Sequence, residues 1–243
     1  MNTVLIDSLM GGAAYTLFIV YHAILVYNAQ VHPRRTTIGQ NKVTRMLWCK
    51  AVTGRTDLGI LAVQTLRNGM MSSQILATTS FTITSGLAIL ILTTDWSTRK
   101  SFGIGDGTVS YLGNTTVMPP IKIFILLLCF IIAFFFYLQA IRAYYHASFL
   151  ISIPSEQAGF IDAEYVGRIL VRGANFHTLG TRAYYAAFLA LLWMFGPIPM
   201  LVMSVLLVFV LSSQDYLPEE QPPLVEEDKA VDTEDTTVDA QAM

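Results

Sequence analysis

Four long stretches of the chain are nearly free of charge, and basic segments separate them. Leu9–Val26 is apolar except for Thr16 and His22. Ile75–Thr94 carries no charge, nor does Ile123–Ile141, which lies within IFILLLCFIIAFFFYLQAI. Tyr184–Leu211 is also uncharged but holds Pro197 and Pro199. An apolar run of about 20 residues is what an α-helix needs to cross about 30 Å of hydrocarbon. The pattern predicts an all-α integral membrane protein with four transmembrane helices, near residues 6–28, 74–94, 121–142 and 183–212. They form one membrane domain, 1–212, followed by a tail, 213–243.

The loops have patterns of their own. In GQNKVTRMLWCKAV, Val43, Met46, Leu47 and Ala51 share one helical face, with Lys42, Arg45 and Trp48 toward its sides. This reads either as an amphipathic helix in the headgroup layer, where its cations reach anionic lipid, or as a helix packed under the bundle. In DAEYVGRILVRGANFHTLG, Tyr165, Ile169 and Phe176 with Val166 and Leu170 predict a second surface helix, capped by Asp162 and ended by Gly180.

LAVQTLRNGMMSSQILATTSF, Leu61–Phe81, joins a polar segment to the second span without a break. On a helical wheel Gln64, Asn68, Met71, Ile75, Thr79 and Thr82 share a face, flanked by Arg67, Ser72, Gln74, Thr78 and Ser85. Leu66, Met70, Ala77 and Phe81 fall on the other side, and Ser73, Ser80 and Thr84 interrupt that side's apolar character. The polar stripe is expected to pack on neighbouring helices. Arg67 falls about 12 Å before the uncharged span, so it belongs to the interface, snorkelling or binding phosphate.

RAYYHASFL begins at Arg142 and RAYYAAFL at Arg182, one closing the third span and one opening the fourth. Arginine beside paired tyrosines is the composition of an interfacial belt. His146, one turn after Arg142, reads as a structural histidine or as a proton sensor. WMFGPIPM, Trp193–Met200, predicts a break in the last span at Gly196, Pro197 and Pro199. It is either a plain kink or a break whose freed carbonyls line a cavity.

Composition agrees with this picture. Of 243 residues 53% are hydrophobic and 13% charged, against about a quarter charged in soluble domains; mean hydropathy is +0.53. The formal charge of −2 hides a split: residues 1–214 carry 14 Lys/Arg and 7 Asp/Glu, and 215–243 carry one lysine and ten acids. The acidic, proline-bearing tail is predicted to be disordered. The first loop holds seven Lys/Arg, the second three and the third four. The positive-inside rule then puts loops one and three in the cytosol and both termini on the other side. Asn114-Thr115-Thr116, a glycosylation triplet in the second loop, agrees with that orientation. The first helix lacks a basic n-region and is expected to be an uncleaved span in the secretory pathway or plasma membrane.

Candidate chemistry is sparse. The histidines at 22, 32, 146 and 177 form no HxxxH or HxxHH set. There is no HExxH, GxSxG or Walker loop. Cys49 and Cys129 share no ligand spacing. Asp7 and Asp95 flank the spans rather than entering them. No enzyme, cofactor, metal site or nucleic-acid partner is predicted.

LAVQTLRNGMMSSQILA, LGTRAYYAAFLALLWMFGPIPM, YHAILVYN and RTTIGQNKVTRMLW together resemble a family of plant and bacterial membrane proteins, the domain of unknown function DUF599. The resemblance covers roughly residues 15–212, without the second loop and the acidic tail. It implies a multi-span membrane protein of plant origin and supplies no reaction or site residues. Two functions follow from the residues themselves. The first, slightly favoured, is a transporter or channel-like component. Its path would use the polar face of the second helix and the broken fourth, with Gln64, Arg67, Asn68, Gln74, Arg142, His146 and Arg182 at a cytosolic mouth. Four helices enclose little space, so a pore implies a homo-oligomer. The second is a scaffold whose basic face binds anionic lipid headgroups or a protein partner.

Overall fold

The structure, a computed structural model, describes residues 3–93, 119–153 and 162–216. Six α-helices carry the fold: α1 (Thr3–Val31), α2 (Thr37–Val52), α3 (Gly59–Thr93), α4 (Pro119–Leu150), α5 (Ala163–Phe195) and α6 (Pro197–Asp215). α1, α3, α4 and α6 are long and apolar enough to cross a membrane. The protein is an all-α membrane protein, as the hydrophobic pattern predicts. Asn114 and the acidic tail beyond Tyr216 lie outside the described residues.

The segment 162–212 differs most from expectation. The surface helix and the opening half of the fourth span are one helix, α5, 33 residues long. Asp162 caps it as expected, accepting from Tyr165 N at 2.6 Å. Gly180 does not end it. Gly180 faces the Tyr137 ring of α4, and a Cβ there would fall 2.8 Å from Tyr137 Cε1. The glycine serves approach rather than termination.

Nor is the break at 196 a mid-span kink. Gly196 has φ 149°, which side-chain-bearing residues avoid, and Pro197 opens α6. The chain folds back there: Arg182 of α5 pairs with Asp215 of α6 at 2.5 Å. Had 182–215 been one helix, those residues would stand about 50 Å apart. Residues 183–212 therefore form a helical hairpin, the apolar half of α5 beside α6. Helix also extends past the expected boundary at 212, and Asp215, counted with the acidic tail by charge, is inside the bundle.

The contacts set the direction of each helix. Asp7 of α1 meets Lys122 of α4 and Trp193 of α5 at one end. Asn28, in the last turns of α1, donates to the Tyr216 hydroxyl, and the Thr37 hydroxyl donates to Gln214 O. α1, α4 and α6 run one way, α3 and α5 the other. The start of α1 and the end of α6 thus lie at opposite ends of the bundle. The expectation that both termini share a face treated 183–212 as one continuous helix, whereas the chain turns back at Gly196 and α6 (Pro197–Asp215) is the fourth helix long and apolar enough to cross a membrane.

α3 and α5 run parallel in fixed register, because Ser73–His177 and Ser80–Tyr184 both join residues 104 apart. The apolar part of α4 from Lys122 to Arg142 spans about 30 Å. Beyond Arg142 the helices continue into a cap. There Cys49 and Val52 of α2, Ala62 and Leu66 of α3, Tyr144 and Leu150 of α4, and Val166 and Leu170 of α5 form a common core. α2 packs on the bundle through Cys49 and Val52, while Val43, Leu47 and Ala51 of the expected apolar face stay exposed. Thr36 caps it, its Oγ1 accepting from Gly39 N at 3.2 Å.

Candidate functional site

The polar face of α3 points away from the bundle. Gln64, Arg67, Asn68, Gln74, Thr78, Thr79 and Thr82 are exposed, whereas Ala62, Leu66, Ser73, Ala77 and Ser80 are buried. The expectation that the stripe packs on neighbouring helices is reversed, and two of the serines that interrupted the apolar side make the contacts. Ser73 Oγ lies 2.9 Å from His177 Nδ1, and Ser80 Oγ donates to the Tyr184 hydroxyl at 3.0 Å. The outward threonines need no neighbour. Thr78, Thr79 and Thr82 donate to the carbonyls of Gln74, Ile75 and Thr78 one turn back. A hydroxyl satisfied within its own helix can face lipid at little cost.

The residues expected at a cytosolic mouth do not converge. Gln64, Arg67, Asn68 and Gln74 lie on the outside of α3, and Arg142 and His146 are exposed on α4. Only Arg182 enters the interior. The positions of Gly196, Pro197 and Pro199 are those of the hairpin apex, where Gly196 and Pro197 are buried.

Two polar clusters are buried between helices. At the end where α1 begins, Lys122 Nζ stands 2.8 Å from Asp7 Oδ2, with both side chains nearly inaccessible. Trp193 Nε1 donates to Asp7 Oδ1 at 2.9 Å, and Lys122 Nζ donates to the Trp193 carbonyl at 3.1 Å. The same ammonium lies 5.0 Å from the Trp193 ring centroid, a cation–π distance. One cluster therefore ties α1, α4 and α5 together. At the basic end, Arg182 Nη2 donates to Asp215 Oδ1 at 2.5 Å, and Tyr21 donates to Asp215 Oδ2 at 2.7 Å. That cluster ties α5, α6 and α1. By helical rise it lies about 9 Å further into the apolar part of the bundle than Arg142 on α4. Each carboxylate is matched by a cation and a further donor, as a buried charge requires. Their partners come from helices far apart in sequence, and no local spacing announces them. The one available signal was the rule that an ionisable residue next to an apolar span implies a partner.

Apolar side chains fill the layer between the clusters. Ala14, Leu189 and Met200 are fully buried there, with Phe18, Leu207 and Leu211 packed against them.

A groove of 450 Å³ opens at the basic end, between the first turns of α3, the residues before it and the end of α4. Arg55, Gln64 and Arg67 line it together with Ile60, Val63, Ile151 and Ile153. Arg55 is half committed, since its Nη2 lies 2.8 Å from Asp57 Oδ2, and that bond holds the Asp57 carboxyl below its usual range. Arg67 makes no side-chain hydrogen bond or ion pair within the described chain. In the cap, burial pushes the Cys49 thiol up to about 11, which favours its protonated form near neutral pH. Among the described residues no three His, Cys, Asp or Glu side chains gather as a metal site would require.

Fold and site define a multi-pass helical membrane protein, pinned at two levels by buried ion pairs and capped by basic helical extensions. The chain belongs to the family described as Protein of unknown function, DUF599, whose model matches residues 11–219. No curated protein matches the chain. No solved structure matches it either.

Proposed function

We propose that this protein is a membrane scaffold, whose basic face gathers anionic lipid or an acidic partner, rather than the conduit of a solute. The observation that carries this is the direction of the α3 polar stripe. The side chains best suited to line a path face outward, while the layer between the two ion pairs is filled with apolar side chains. A bundle pinned by buried ion pairs and presenting Arg34, Lys42, Lys50, Arg67 and Arg172 on exposed positions is suited to attract negative charge. In the orientation the basic loops favour, this end is cytosolic, and the chain leaving α6 emerges there as well. That is the reverse of the placement expected when both termini were put outside.

Transport is the second reading, favoured by the two buried acid–base pairs, which a moving bundle would break and remake. Reconstitution in vesicles separates the two. The scaffold reading expects anionic lipid to co-purify with the protein, in amounts that fall as salt rises, with no solute flux above that of empty vesicles. Flux that disappears in Asp7→Asn would overturn it.

A further inference from the structure

The groove at the basic end combines features that point to one ligand chemistry. Its polar side carries the Arg67 guanidinium, with no hydrogen-bond or ion-pair partner among the described residues, and the Gln64 amide one turn away. Arg55 adds a second guanidinium, partly neutralised by Asp57. Its other walls are mainly aliphatic, Ile60 and Val63 of α3 and Ile151 and Ile153 after α4, with Ser152 between the last two. Polar lining on one side and branched aliphatic lining on the other suits an amphiphile better than a bare ion. The depth agrees. By the α3–α5 and α4–α5 registers, Arg67 stands about 8 Å outside the level of Arg142, which is the headgroup layer. The 450 Å³ volume accommodates a phosphate with its glycerol and the first carbons of an acyl chain.

We propose that this groove is a specific binding site for a phosphate-bearing amphiphile, its phosphate held by Arg67 and its glycerol and acyl carbons lying on Ile60, Val63, Ile151 and Ile153. This deepens the scaffold reading and rests on it, by giving the diffuse basic face one defined position. A guanidinium suits the role because its planar fork gives two parallel hydrogen bonds to phosphate oxygens. Arg142 is the internal control, a cation exposed on α4 that does not line the groove.

The test uses the full chain in neutral detergent, titrated with dioctanoyl phosphatidic acid, dioctanoyl phosphatidylcholine and inorganic phosphate, and followed by calorimetry. Saturable binding of the phosphatidic acid is expected, with far weaker binding of the zwitterion and of free phosphate. Arg67→Gln should weaken it about tenfold or more. Val63→Trp keeps every charge but fills the groove, and should weaken binding comparably. Arg142→Gln should leave it within a factor of two. If Arg67→Gln and Arg142→Gln weaken binding equally, the groove is refuted while a diffuse basic scaffold stands. If inorganic phosphate binds as tightly as the amphiphile, the aliphatic half of the proposal is refuted. If phosphatidic acid does not bind and no anionic lipid co-purifies, the groove and the scaffold reading both fall.

Discussion

The Arg182–Asp215 pair gives the sharpest test of the fold, because only the hairpin at Gly196 brings the two residues together. Both side chains are largely buried, at 15% and 8% exposure, so neither is screened by water as a surface ion would be. Removing one partner of such a pair leaves a buried charge uncompensated, at a cost of about 3–5 kcal/mol. Arg182→Leu strands the Asp215 carboxylate with Tyr21 as its remaining donor, and Asp215→Leu strands the guanidinium. At about 2–4 °C per kcal/mol for a chain of this size, either variant should melt roughly 10 °C below the parent. The double variant Arg182→Leu/Asp215→Leu leaves no charge unmatched, so it should lose far less than the two singles combined. The exchange Arg182→Asp/Asp215→Arg should restore part of the loss as well. The assay is thermal unfolding of detergent-purified protein, followed by fluorescence or by loss of the monodisperse species. Residues more than about 10 Å apart with no shared partner behave additively. A double variant that loses the sum of the singles would mean the two residues are not neighbours, and the fold-back would be wrong.

Two further outcomes follow from contacts in the cap and the bundle. Gly180→Ala places a Cβ 2.8 Å from the Tyr137 ring and should cost about 1–3 kcal/mol, read as a lower melting temperature; Tyr137→Leu in the same chain should recover much of it, and no recovery would refute ring overlap as the cause. Cys49, with its thiol pushed up to about 11, should resist maleimide at pH 7.5 in the folded protein, react after unfolding, and label faster as pH climbs toward that value. Labelling of native Cys49 as rapid as that of the unfolded chain would contradict its burial.

The apolar runs of α1, α3 and α4 were legible because twenty residues without charge have few other destinations. The Asp162 cap was legible because a cap is a contact three residues long. The α3 stripe was legible as a stripe, but its direction was not. A helical wheel shows which residues share a face and says nothing about what that face meets. Serine and threonine make this ambiguity acute, since either can bond back along its own helix or across to another. Ser80 does both, reaching the Leu76 carbonyl and the Tyr184 hydroxyl. The break at Gly196 was equally visible, but a glycine followed by a proline specifies only an interruption. Whether the chain continues or returns depends on what the next helix can pack against.

The sequence by itself determined the number of long apolar helices, the basic loops between them and the solvent that surrounds them. Those properties depend on hydrophobicity summed over neighbouring residues. Only the tertiary structure decided that α5 and α6 form a hairpin and that the polar side of α3 faces outward. It alone showed that Asp7 meets Lys122 and Trp193, and that Asp215 belongs to Arg182 and Tyr21. The physical reason is the cost of burying charge. A carboxylate inside the bundle is tolerated only where a cation and a second donor arrive from other helices. Here those partners stand up to 194 residues away along the chain, beyond the reach of any local pattern.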